Sequence, residues 1–424
     1  MDTALSRALS RVLSTRASKA TPIIDLDKPH APCSGDLFSN DYLSLTSNPG
    51  LKSHFLETLS KQTNVLGSTG SRWIAGNSEW HVALEQQMMR FFSAPAALLY
   101  SSGFTANLGI LATLPQASDA IIFDERIHAS CHAGMALSRT LPAARIQFTH
   151  NSIHSLRKCL VSVLDSCPQF RSGTSTIFVV VESVHSMDGD VAPLEEIIAT
   201  IDELVPSQSA HLMVDESHAT GVYGSAGRGL VSLLGLESKV HTRLHTFGKG
   251  IGSSGAVVLT TPLTRTYLIN YSRSLIFTTS APIFSLIATS CAFDVLEANG
   301  DRLIARLMHL CRFFADALAL HLRPIPSAVM SLMPRTTPPI SPIFPILVCA
   351  PLALETYLRR EGYAATAMPH PVVPRGKERI RVCVHAGNTE DELLRFVRVL
   401  TLWAKNYTAE TQDGRGTAMH KSHL

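Results

Sequence analysis

Eight cysteines are scattered along the chain (Cys33, Cys131, Cys159, Cys167, Cys291, Cys311, Cys349 and Cys383), and no two form a C-x-x-C pair. That excludes a zinc ribbon or dithiol redox site by spacing and suits unpaired thiols in a reducing compartment. No uninterrupted apolar run is long enough to span a bilayer. Charge is scarce, at 17% of residues, and the formal net charge of +3 has no long basic tract behind it. Nucleic acid is therefore not an expected partner. Internal repeats, low-complexity segments, a nucleophile elbow and a phosphate-loop lysine are also missing. What remains is 424 residues, 45% of them hydrophobic. This is the composition of a globular protein with a generous core, long enough for a large domain and a smaller one.

Short apolar runs punctuate the first two thirds of the chain: Ala96–Tyr100, Ala120–Phe123, Ile177–Val181, His211–Val214 and Ala256–Leu259. Several are rich in β-branched residues and read as strands buried on both faces. Helix-length segments such as Leu194–Leu204 lie between them, so a mostly parallel sheet flanked by helices is expected. A helix around Phe284–Glu297 should lead out of the large domain. A proline-rich loop, 334–339, then precedes a strand at Ile343–Val348. The expected division is an N-terminal helix and arm over 1–50, a large domain over 51–280, a small domain over 281–405 and a tail over 406–424. Leu5, Leu9 and Leu13, four apart, predict the N-terminal helix. The rival reading is a transit peptide, given Arg7, Arg11, Arg16, Lys19 and the single acid Asp2.

Two stretches carry the chemistry. In His245–Gly252 one lysine, Lys249, sits among small residues just ahead of an apolar run. Glycines let the backbone approach a ligand closely, and a lysine held from water has a lowered pKa and an amine ready for a Schiff base. Taken alone, it is more often a surface lysine in a glycine turn. The second stretch, Val214-Asp215-Glu216-Ser217-His218, ends an apolar run. A buried carboxylate there is costly unless a cation answers it, and a protonated pyridine nitrogen would. The competing readings are a solvated loop aspartate or an Asp–His metal pair. No third ligand at a recognisable spacing accompanies the pair, so no metal is expected. Gly250-Ile251-Gly252-Ser253-Ser254-Gly255 fits a dinucleotide fingerprint but leads into a strand where that fingerprint opens a helix.

Asp215-Glu216-Ser217-His218-Ala219-Thr220-Gly221, followed by Thr246-Phe247-Gly248-Lys249, resembles the α-oxoamine synthases. These are fold-type-I pyridoxal-phosphate enzymes that condense an amino acid with an acyl-CoA and release carbon dioxide. The likeness runs from about Asn40 to about Leu400. It implies an α/β fold, with a large domain built on a mostly parallel seven-stranded sheet and a smaller C-terminal α+β domain. It also implies pyridoxal 5'-phosphate as cofactor, with Lys249 as tether and base, Asp215 on the ring nitrogen and Thr246 nearby. By the same resemblance, Gly103 and Phe104 of Ser102-Gly103-Phe104 hold the phosphate where a helix opens. His128 stacks on the ring, Ser186 of Ser186-Met187-Asp188-Gly189-Asp190 and His218 serve the ring oxygen, and Asn40 and Arg381 bind substrate. The glycine-rich stretch Gly67–Arg72 also matches. Thr278 and Thr279 are implied to reach the phosphate of a second subunit, hence a homodimer.

The preferred substrates are alanine and pimeloyl-CoA, in biotin synthesis. Two departures leave the acyl group open. Pro369 stands where such enzymes often carry an arginine, and Phe277 where they carry a tyrosine. The alternatives are a relative acting on a polyketide or fatty acyl thioester, an aminotransferase, and a non-catalytic subunit, against which the retained Lys249 argues. Ser422-His423-Leu424 is a variant of a peroxisomal address, so the peroxisome is expected, with the cytoplasm as alternative.

Overall fold

The structure, a computed structural model, describes residues 3–18, 35–333, 340–370 and 372–412. Seven strands form the large sheet: β1 (Ala96–Tyr100), β2 (Ala120–Asp124), β3 (Arg145–Phe148), β4 (Ile177–Glu182), β5 (Ala210–Asp215), β6 (Thr242–Thr246) and β7 (Ala256–Thr260). Their order is β1-β7-β6-β5-β4-β2-β3, with β7 antiparallel to both neighbours and the other pairs parallel. Side chains alternate between two cores. Leu98, Ile121, Val180 and Met213 face one, and Leu99, Ile122, Val179 and Leu212 face the other. Burial on both faces explains why these strands read as continuous apolar runs rather than alternating ones.

The helix Ile283–Leu322 is far longer than its sequence signature suggested. Its first half packs Phe293 against Phe91, Phe92 and Phe247 of the large sheet's layer. Its second half packs Phe314 against Phe344 and Phe396. It is therefore the spine on which the C-terminal sheet is mounted: β8 (Met330–Leu332), β9 (Ile343–Val348), β10 (Thr366–Met368) and β11 (Arg379–Cys383), antiparallel in the order β10-β11-β9-β8. A parallel bridge joins Gly35–Asp36 to Tyr363–Ala364, bringing the segment after it, with Asn40 and Tyr42, beside β11.

The N-terminal helix spans Ala4–Ser18 with Leu5, Leu9 and Leu13 exposed. The seven described cysteines are unpaired. No helix among the described residues is long and apolar enough to cross a membrane. The proline-rich loop and the C-terminal tripeptide lie outside the described residues.

Candidate active site

The carboxyl ends of β4, β5 and β6 and the start of the helix Gly103–Thr113 enclose a cavity of about 390 Å³. Ligand sites of open α/β sheets lie at this edge. Gly103, Phe104, His128, Asp215, His218, Thr246 and Lys249 all line it. Ser186, Thr278, Thr279, Asn40 and Arg381 do not, although the last two are connected to it.

Lys249 sits in the connection between antiparallel β6 and β7. Phe247 N donates to Gly255 O at 2.9 Å and Ser253 N to Phe247 O at 2.7 Å, closing the turn. Gly252 and Gly255 hold φ of 65° and 101°, conformations a side chain would strain. The Lys249 amine is depressed below the ordinary lysine range, first by burial and further by the Arg381 charge, while Asp215 and Glu182 act in the opposite sense.

Asp215 ends β5 in register with Glu182 of β4. Its Oδ1 accepts from Ser217 N at 2.9 Å and its Oδ2 from Asn107 Nδ2 at 2.8 Å. Asn107 Nδ2 also donates to Ser130 Oγ at 3.0 Å, and that hydroxyl is 2.6 Å from His128 Nδ1. Ser130 N donates to the same nitrogen at 3.2 Å. Asn107 and Ser130 thus fix both the carboxylate and the imidazole. Burial holds the His128 ring below its usual pKa, hence neutral at pH 7.

His218 is also kept neutral by burial, helped by the charges of Lys249 and Arg381. The Tyr42 hydroxyl lies 2.7 Å from its Nδ1 and 3.1 Å from Asn40 Oδ1. Arg381 Nη2 donates to Asn40 Oδ1 at 2.9 Å, and Arg381 Nε to Ser186 O at 2.6 Å. A polar chain Arg381–Asn40–Tyr42–His218 therefore runs from the small sheet to the cavity. Tyr42 has one hydrogen. Donated to Asn40 Oδ1, it leaves the ring to donate from Nδ1. Given to Nδ1 over the shorter 2.7 Å contact, with Asn40 Oδ1 supplied by Arg381, it leaves the ring hydrogen on Nε2, free for a group in the cavity.

At the helix start, Ser102 and Thr105 cap each other: Thr105 N donates to Ser102 Oγ and Ser102 N to Thr105 Oγ1, both at 3.1 Å. The amides of Gly103 and Phe104 are left for an anion. A Cβ on Gly103 would collide with the Thr246 methyl, so glycine is needed for this close approach. Four of these residues went unassigned in the sequence: Asn107, Ser130, Tyr42 and Glu182. Glu182 lines the cavity, and its carboxyl is pushed up to about 8 by burial and the Asp215 charge. Its place at a strand end beside an assigned motif is the signal that could have found it. For Asn107 the signal is one helical turn from Gly103, on the same face.

These features fit one cofactor: an amine for an aldehyde, a carboxylate for a pyridinium nitrogen, and unpaired amides for a phosphate. Fold and cavity together define a fold-type-I pyridoxal-phosphate enzyme. The family model described as aminotransferase class I and II matches residues 36–400. The 8-amino-7-oxononanoate synthase of Emericella nidulans is 40% identical over 371 residues, 87% of this chain and 89% of its own. The aminoacyl transferase sphA of Byssochlamys spectabilis is 35% identical over 390 residues, 89% of this chain and 83% of its own. A solved serine palmitoyltransferase of Sphingomonas wittichii superposes with a TM-score of 0.79 at 25% identity, over 97% of this chain and 99% of that one. The chain belongs to the aminotransferase class I and II family, within its α-oxoamine synthase branch. It is an acyltransferase-type enzyme, and its cofactor is pyridoxal 5'-phosphate.

Proposed function

We propose that this enzyme condenses L-alanine with pimeloyl-CoA, releasing coenzyme A and carbon dioxide and forming 8-amino-7-oxononanoate in biotin synthesis. The observation that carries a condensation chemistry is the convergence of Lys249, Asp215 and the uncapped Gly103–Phe104 amides on one cavity. The likeness to the Emericella enzyme supports the substrate pair.

When bound, pyridoxal phosphate supplies an electron sink for a carbanion. Lys249, its amine unprotonated more readily than an exposed lysine, is suited to tether the cofactor and then to take the α-proton at Nζ. Asp215, held by Asn107 and Ser217, keeps positive charge on the ring nitrogen. Neutral His128 offers a flat face, and His218 Nε2 a hydrogen for the ring oxygen. Arg381 has spent one hydrogen each from Nε, Nη1 and Nη2 on Ser186, Cys383 and Asn40. The hydrogens left on the terminal nitrogens, one of them shared with the Tyr42 oxygen, would serve the amino acid's carboxylate.

A second reading, a polyketide or fatty acyl thioester as acyl donor, is favoured by the likeness to the Sphingomonas serine palmitoyltransferase and by Pro369 and Phe277. Coenzyme A release over a grid of amino acids and acyl-CoAs tests both. Release with alanine and pimeloyl-CoA supports the first, and release confined to other acyl chains supports the second. No release with any pair, together with keto-acid formation, would show an aminotransferase.

The reading extends to assembly and location. Thr278 and Thr279 stay out of their own chain's cavity and Phe277 beside them is 71% exposed, which supports a homodimer in which they reach the partner's phosphate. Light scattering that shows only monomer at working concentration removes it. Delivery to the peroxisome by Ser422-His423-Leu424 is tested with a fluorescent fusion, which should turn diffuse when those three residues are deleted.

A further inference from the structure

Beside the cofactor cavity, three neighbouring strands bring a second polar cluster together at their carboxyl ends. Asp124 ends β2, His150 lies just beyond β3, and His185 just beyond β4. His185 N donates to Asp190 O at 3.1 Å, and a bridge between Val184 and Val191 closes that turn, so Asp190 faces back onto the same cluster. None of these four residues lines the cavity.

Both histidines aim one nitrogen at the same oxygen. His150 Nδ1 is 2.8 Å and His185 Nε2 is 3.8 Å from Asp124 Oδ1. Their outer nitrogens both face Asp190: His150 Nε2 is 2.7 Å from Oδ2, and His185 Nδ1 is 3.7 Å from Oδ1. The rings stand perpendicular with centroids 4.3 Å apart. The His185 side chain is 3% exposed, and neither of its nitrogens has a hydrogen-bond partner; nor does Asp190 Oδ1. A buried imidazole with both nitrogens unpaired is costly, and a ligand on Nε2, with Nδ1 drawn onto the unpaired Asp190 Oδ1, would remove that cost.

We propose that Asp124, His150 and His185 bind one divalent transition-metal cation of the zinc type, with Asp190 orienting both histidines from behind. Imidazole and carboxylate ligands lie about 2.0–2.2 Å from zinc, so neighbouring ligand atoms in a tetrahedron are about 3.3 Å apart. The two histidine-to-Asp124 separations straddle that value, and a ring shift of roughly half an ångström at each would equalise them. A carboxylate behind a ligating histidine is the usual outer partner, because it fixes the tautomer and the ring angle. Charge agrees. Asp188, also near His150, is already ion-paired to Arg126 and Arg379, which leaves Asp124 and Asp190 to balance a cation. In the metal-free protein that cation is the His150 imidazole between them, whose proton a dication would replace. The site would tie down the strand ends from which His128 and Glu182 reach the cavity, and it is independent of which acyl group the enzyme uses. No sequence spacing announces it, because the ligands come from three separate strand ends.

Holoenzyme loaded with zinc and dialysed into metal-free buffer is expected to retain one zinc per chain by elemental analysis, with Tm climbing with the logarithm of free zinc. His185→Phe keeps a buried ring and should keep the cofactor's visible absorbance while losing the zinc. Asp190→Asn should retain the site with zinc affinity lowered about 10- to 100-fold. His54→Ala, which alters the separate His54–Cys291–Asp294 group, should change nothing. Wild-type protein that keeps no zinc, or His185→Phe that keeps as much as wild type, overturns the proposal. If His185→Phe does not fold, Asp190→Asn decides: unchanged zinc affinity overturns it.

Discussion

Glu85 and Asp215 are both buried carboxylates at 4% exposure, and their surroundings could hardly differ more. Glu85 is ion-paired to Arg72 and, at 2.6 Å, to Arg265, and it accepts from Leu99 N at 2.9 Å. Every oxygen is answered by the protein itself, and the group joins the N-terminal glycine-rich segment, the first strand and the helix Pro262–Tyr271. Asp215 receives only a neutral amide and a backbone N–H, and no ion pair reaches it within the described residues. Glu182, its neighbour in register, leaves Oε1 with no partner. A carboxylate that holds a fold together arrives with its counter-charge in contact. One that serves a bound group is left facing open space, its complement supplied from outside.

The contrast breaks first at Lys249. Lys249→Ala should abolish turnover and, together with it, the visible absorbance of lysine-bound cofactor, with the fold intact by circular dichroism. An active variant would end the assignment of the cavity. Next come the two carboxylates, exchanged for their amides. Glu85→Gln leaves two arginines under-compensated and should cost about 3–5 kcal/mol in urea melts, while surviving folded molecules turn over normally. Asp215→Asn should do the opposite: stability within about 1 kcal/mol of wild type, and kcat down about 10²–10³-fold, the scale of one lost preorganised charge contact. If both variants lose stability and activity in proportion, the distinction between them is false.

A smaller effect is expected where the two sheets meet. Arg381→Lys would give up the planar fork that holds Ser186 and Asn40 while presenting hydrogens to a carboxylate. KM for the amino acid should rise about 10- to 100-fold, matching a charged hydrogen bond of about 1.5–3 kcal/mol, with KM for the acyl-CoA little changed. Equal rises in both would place Arg381 outside amino-acid recognition.

How far the residues alone foretold this is uneven, for physical reasons. Strands buried on both faces, such as Ile177–Glu182, announce themselves as apolar runs. Thr242–Thr246 did not, because Thr-Arg-Leu-His-Thr is mostly polar. It is nonetheless fully buried, with Arg243 Nη2 donating to Phe92 O at 3.2 Å and His245 packed on the Phe92 ring at 4.0 Å. The edge strand Arg145–Phe148 is short and half-exposed, so its pattern is weak. The reversed direction of β7 depends on the tight turn around Lys249, which a run of glycines hints at without fixing. At the site, seven residues named from motifs line the cavity. Ser186, Thr278 and Thr279, also named from motifs, do not, and the supporting residues carry no motif at all. Asn107, Tyr42 and Ser130 act through three-dimensional contacts between segments far apart in sequence, where no local pattern marks them.

The least conspicuous effect concerns Glu182, and here the sign can be worked out. Burial first, and then the Asp215 charge, raise its carboxyl from 4.5 to about 8, against the pull of Lys249. Between those two values the folded protein keeps a proton that the unfolded chain has released. Stability therefore declines as pH rises from about 4.5 to about 8, with a slope approaching 1.4 kcal/mol per pH unit from this one group, and levels off above. Glutamine matches the protonated carboxyl in shape and cannot ionise. Glu182→Gln should flatten the stability-versus-pH curve of the apoprotein across that window and leave the variant more stable than wild type at pH 8. The apoprotein is the right sample, because bound cofactor would add its own charges to the same cavity. Urea melts at pH 5, 6, 7 and 8 would show the two curves diverging steadily. Curves that stay parallel would mean that Glu182 ionises like an ordinary carboxylate, its charge already compensated as fully as that of Glu85.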